Sequence, residues 1–150
     1  MVASLVLALL IAIPNTKATL ELDGAWTARP APTIVLAYQG PNGALLAVTR
    51  AQVPNADAWR RKTRDAYLAE VERGAIASLP GATRLSHRLG EANGVPVLDL
   101  VLRRADGATL VLRYLLFRTY ALTLAIELPK GGSATAARAI AASFAPPASS

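Results

Sequence analysis

The sequence predicts an α+β fold, a mostly antiparallel sheet covered by a long central helix and a short C-terminal helix in an α/β/α sandwich. Three observations carry this expectation. From Val95 to Leu128, apolar residues recur at alternate positions, the period of a strand with one buried face. From Asp57 to about Ala77, and again after Ser133, the spacing becomes helical. Turn residues such as Ala105-Asp106-Gly107 join the strand candidates as hairpins.

Taken in order, Met1 to Ala18 resembles a secretory leader. Leu5 to Ile13 is its apolar core, Pro14 and Asn15 break it, and Thr16-Lys17-Ala18 offers small residues around a cut. No Lys or Arg precedes the core, and the run is shorter than the roughly 20 residues of a membrane span. The expected organisation is a signal peptide over residues 1–18, a single domain over 19–145 and a disordered tail over 146–150. The protein is then exported, periplasmic or extracellular. The other readings of the segment are a buried first strand and a short uncleaved anchor.

Thr19 to Asp23 reads as a short strand, followed by Gly24 and Trp26. Trp26 is either a core or lid aromatic or a platform on which a ligand stacks. Arg29-Pro30-Ala31-Pro32 is a rigid, non-helical connection, because each Pro fixes φ and biases its predecessor away from helix. Thr33 to Gln39 and Ala44 to Ala51 form an antiparallel pair across the turn Gly40-Pro41-Asn42-Gly43.

In the long helix Asn55 or Asp57 caps the start, and Gly81 after Pro80 closes the segment. Tyr67, Leu68, Val71 and Ala75 make its core-facing stripe. Its first turns carry Arg60, Arg61, Lys62 and Arg64, cations that oppose the helix dipole. They read as a solvated charged face or as a basic rim for an acidic surface.

Thr83 to Leu89 is a strand candidate in which His87 alternates with Leu85 and Leu89, and the next turn is placed at Gly90 to Gly94. His87 reads as a partly buried, hydrogen-bonded side chain, or as a ligand or catalytic group. In the following strand Leu98, Leu100 and Leu102 share a face, with Asp99 and Arg103 opposite. Trp26, His87 and Asp99 are the candidate pocket residues. No phosphate-binding loop, dinucleotide fingerprint, zinc-protease helix motif or nucleophile elbow is present. The carboxylate pairs Glu21/Asp23 and Glu70/Glu72 have no recognisable partner and read as solvated surface. The last helix starts at the N-cap Ser133, buries Ala137, Ile140, Ala141 and Phe144, and stops at Pro146-Pro147.

A chain of 150 residues suffices for one core. It has no cysteine and one histidine, which excludes disulfides and thiolate metal sites and leaves little for a histidine relay. The net charge of +6 favours acidic partners. The early Gly24-x-Trp26, the long helix, the Tyr120-Ala-Leu-Thr-Leu strand and the final Ala139-Ile140-Ala141-Ala142-Ser143-Phe144 together resemble the PsbP/Mog-like superfamily over about Leu20 to Phe144. Its members include an extrinsic photosystem subunit, a Ran-binding release factor, DcrB-type bacterial envelope proteins and chaperones of secreted toxins. The resemblance implies accessory or binding work, usually without catalysis; no cofactor is expected, and the expected partner is a protein or envelope surface, with anionic lipid a further partner for the basic stretch Arg60, Arg61, Lys62 and Arg64. Nucleic acid is not an expected partner. The competing expectation is a small hydrolase or ligand carrier.

Overall fold

The computed structural model describes residues 9–53 and 61–148. The strands are β1 (Leu9–Ala12), β2 (Thr19–Leu22), β3 (Thr27–Ala28), β4 (Leu36–Gln39), β5 (Leu45–Gln52), β6 (Thr83–Ala92), β7 (Val95–Arg103), β8 (Thr109–Leu116) and β9 (Tyr120–Leu128). The helices are α1 (Arg61–Ala77) and α2 (Ala134–Ser143). Seven strands make one antiparallel sheet in the order β3-β4-β5-β9-β8-β7-β6, and β1 pairs only with β2. The α/β/α sandwich expected from the sequence is the observed architecture.

Alternation places a different core on each side of this sheet. Leu122, Leu124 and Ile126 of β9 are fully buried on one face, together with Leu46, Val48, Val97, Val101, Val111 and Leu115. Ala137, Ala141 and Phe144 of α2, and Leu20, Leu22 and Ile13 of the β1–β2 hairpin, close that side. Leu98, Leu100 and Leu116 project the other way and meet Leu68, with Tyr67, Val71 and Ala75 of α1 packed around them. β7 is therefore buried on both faces, and Asp99 does not stand on a solvated one. α1 carries the chain from β5, inside the sheet, to β6 at its far edge.

Four expectations are corrected. The strand after α1 continues through Gly90, which pairs with Val97, and the turn is Asn93-Gly94, with φ of 49° and 85°. Asn-Gly supplies both positive φ values that a two-residue hairpin needs. A bulge between Arg84 and Ser86 removes Leu85 from the row of His87 and Leu89. Because β6 is an edge strand, Leu85 and Leu89 remain 43% and 38% exposed rather than forming a buried face. Pro146 belongs to the domain and not to a tail: it is buried and its carbonyl accepts from Asn93 Nδ2 at 2.7 Å.

The segment read as a leader enters the fold from Leu9. Ile13 and Ala18 are each 1% exposed, and Ile13 O accepts from Thr16 in the connecting turn. The expected helix caps Asn55 and Asp57 lie outside the described residues. Ser133 caps α2 as expected, its hydroxyl accepting from Thr135 N at 3.3 Å.

Candidate functional site

A groove of about 680 Å³ lies between the β2–β3 connection, the Pro41–Gly43 turn, the end of β9 and α2. Local chemistry shapes each wall. Asp23 Oδ1 accepts from Ala25 N at 2.9 Å, a tight turn that turns the chain so that Trp26 follows at the groove edge. The Trp26 ring rests against Gly40, where an added Cβ would come within 2.6 Å of it. Asn42 and Gly43 hold φ of 57° and 78°, which bends the Pro41–Gly43 turn toward Pro129. The α2 wall presents Ala136, Ala137, Ala139 and Ile140, whose small side chains leave the groove its depth.

The groove is mostly apolar, and its charged lining residues are Glu21, Asp23 and Lys130. An aromatic ring and two carboxylates in one groove suit a cationic group, because the ring quadrupole and the acids act in the same sense. The alanine and leucine walls suit an apolar group next to it.

The structure does not bring Trp26, His87 and Asp99 into one pocket. His87 and Asp99 border a smaller cleft of about 340 Å³ between β6, β7, β8 and α2. Asp99 is already engaged there. Arg113 Nε donates to its Oδ1 at 2.8 Å and Nη2 to its Oδ2 at 3.1 Å. Nη1 of Arg113 donates to the carbonyls of Phe144 and Ala142, at 3.1 and 3.3 Å, so this cation also satisfies the C-terminal end of α2. The hairpin centred on Asp106 sets Asp99 opposite Arg113. That register was readable from the turn, yet the pair was not singled out.

His87 faces α1. Its Nδ1 lies 2.5 Å from Glu72 Oε1, and Arg84 Nη1 donates to Glu72 Oε2 at 2.6 Å. Glu72 is 7% exposed, which corrects its reading as solvated surface. Its place in the α1 stripe, four residues after Leu68, was the available signal. Burial pushes its carboxyl up, but the hydrogen bonds and charges of His87 and Arg84 outweigh this and hold it below its ordinary 4.5. Nearby, Tyr67 and Tyr114 share a hydroxyl hydrogen bond of 3.2 Å. Burial pushes the Tyr114 phenol well above its usual range, and the Tyr67 bond adds to the shift.

Of the basic stretch, Arg60 lies outside the described residues, and Arg61 and Lys62 are in the first turn of α1. The Arg64 side chain is 25% exposed and reaches Glu91 at 3.7 Å, so it is drawn back to the β6 edge.

No protein-family model and no curated sequence matches the chain. Solved structures do match. The solution structure of cyanobacterial PsbP (CyanoP) from Synechocystis sp. PCC 6803 is similar over 96% of both chains, with a TM-score of 0.61 and 10% identity. The Saccharomyces cerevisiae Ran-binding protein Mog1p is similar over 89% of this chain and 82% of its own, with a TM-score of 0.57 and 12% identity. A structure from Bacteroides thetaiotaomicron VPI-5482 matches 87% of this chain at a TM-score of 0.55 and 13% identity, although this chain spans only 45% of that one. The shared property is the arrangement of sheet and helices.

Proposed function

We propose that this chain of PsbP/Mog-like fold is a non-catalytic binding protein whose Trp26 groove receives an extended segment of a protein partner, a cationic residue beside apolar ones. The groove carries the reading: an apolar trough whose lining includes an aromatic ring and two carboxylates, Glu21 and Asp23. One similar structure is that of a Ran-binding protein, which supports protein docking as a use of this fold. The titratable groups outside the groove support the same reading, since Glu72, His87, Asp99 and Arg113 are engaged in pinning helices to the sheet. The leader pattern of Met1 to Ala18 supports, within this proposal, a site of action outside the cytoplasm.

The test is titration of the purified chain with short peptides of the pattern Leu-Lys-Leu-Phe and with their Lys→Glu counterparts. The reading expects tryptophan fluorescence to respond to the lysine peptides, with Trp26→Ala abolishing their binding by calorimetry while the circular dichroism spectrum is kept. Equal binding of the glutamate peptides, or unchanged binding by Trp26→Ala, would overturn it. A second reading is a small apolar ligand in the same groove, whose volume lies in the usual range for such sites. Native mass spectrometry of purified protein decides for that reading if a small molecule is retained and lost in Trp26→Ala. Intact mass reads the export step, since a soluble cytoplasmic chain starting at Met1 contradicts it.

A further inference from the structure

We propose that two copies of this chain pair through the outer edge of β6, in an antiparallel ladder centred on Leu89. The two ends of the seven-stranded sheet are finished differently. β3 is two residues long and is followed by Arg29-Pro30-Ala31-Pro32, the short, proline-flanked form that protects an edge. β6 is ten residues long, and no strand pairs with its outer side among the described residues. Its bulge lies between Arg84 and Ser86, which leaves Ser86 to Ala92 in unbroken register with β7.

Within that stretch the side chains are self-complementary. His87, Leu89 and Glu91 lie opposite Leu100, Leu98 and Pro96, so all three occupy the face that carries α1. A twofold axis through Leu89, normal to the sheet, sets Leu89 against its own copy. It also sets His87, twice over, against the second copy's Glu91, a carboxylate that its own Arg64 reaches at 3.7 Å from one side and that His87 would meet from the other. Opposed unlike pairs and apolar pairs stabilise an antiparallel ladder, and like charges directly opposite oppose it. Glu72 already occupies His87 Nδ1, so Nε2 donates to the second carboxylate when the ring carries a proton on both nitrogens.

Neighbouring registers are worse. An axis at His87 draws the bulge into the ladder, and an axis at Glu91 opposes two carboxylates. The chosen axis also suits the helices. α1 lies over β6 and β7, so at the strand spacing of about 4.8 Å the two copies of α1 stand about 10 Å apart, near the ordinary packing distance. A second copy is therefore the occupant that this edge fits.

The chain contains no cysteine, which makes cross-linking clean. Leu89→Cys would place two thiols across the axis, with Cα atoms about 4.5–5.5 Å apart, inside the range a disulfide spans. Mild oxidation is expected to give a covalent dimer in high yield. Leu85→Cys, at a similarly exposed position beside the bulge, is expected to stay largely monomeric. Wild type should sediment as a dimer and Leu89→Lys as a monomer with an unchanged melting curve. A wild-type monomer across the micromolar range, equal cross-linking of the two cysteine variants, or a dimeric Leu89→Lys would overturn the proposal.

Discussion

At Glu72 a buried carboxylate accepts from one residue on each side of a β-bulge, and it locks the middle of α1 to the sheet edge. Its carboxyl is held below 4.5, so the stabilisation is complete above that pH and is lost as the pH falls through the lowered value. Because His87 and Arg84 are themselves 42% and 51% exposed, removing the charge in Glu72→Gln should cost only about 1–3 kcal/mol at neutral pH. Thermal melts should show wild type losing its advantage over Glu72→Gln as the pH drops below 4.5. A constant gap across that range would mean that Glu72 does not act as an ionised anchor. Gly40 acts on the groove instead. A Cβ there meets the rigid Trp26 ring at 2.6 Å, so Gly40→Ala should displace the ring, shift its emission and weaken peptide binding. Unchanged emission and affinity would show that Gly40 does not seat Trp26.

Among elements, β9 is the centre of the sheet and buries one full row of side chains. Leu124→Asp would place an unpaired charge there, at a cost of several kcal/mol, enough to exhaust a marginal domain. Thr123 points to the other face, partly buried between the exposed Thr49 of β5 and Tyr114 of β8, so Thr123→Asp should be milder. Urea melts of the two variants check this, and equal losses would contradict the face assignment. The β1–β2 hairpin makes its own prediction. A chain starting at Thr19 loses Ile13 from the core, worth about 1.5–3 kcal/mol, together with the β1 ladder. It should unfold at lower urea than the longer chain, and an equal midpoint would show that β1 adds nothing.

These elements also mark what was legible in the sequence. Period-two leucines revealed β7, β8 and β9, and the helical stripes revealed both helices, because local spacing carries that information. β3 is too short for any period to show. The extent of β6 was missed because Gly90 resembles a turn residue, although it lies in a paired strand with only the Arg88 side chain near its open side. Trp26 was recognised as a candidate from its type. Its separation from Asp99 depends on where the strands fall across the sheet, and its separation from His87 on which face that side chain takes, long-range properties that no local pattern holds.

On the scale of the molecule, the α/β/α sandwich separates structural and binding work. Ion pairs at Glu72 and Arg113 fasten α1 and α2 to opposite faces, while the groove at the α2 end holds a half-buried aromatic and an apolar wall. The chain is basic overall, with a net charge of +6, yet Glu21 and Asp23 outnumber Lys130 among the charged residues that line the Trp26 groove. That local reversal of sign is what directs a cationic segment to the groove, and the attraction should weaken as salt rises. Hydrogen exchange with and without the Leu-Lys-Leu-Phe peptide tests this most directly. The account predicts added protection confined to Asp23–Trp26, Pro41–Ala44 and the Lys130–Ile140 wall. Protection elsewhere on the sheet, or none at saturating peptide, would contradict it.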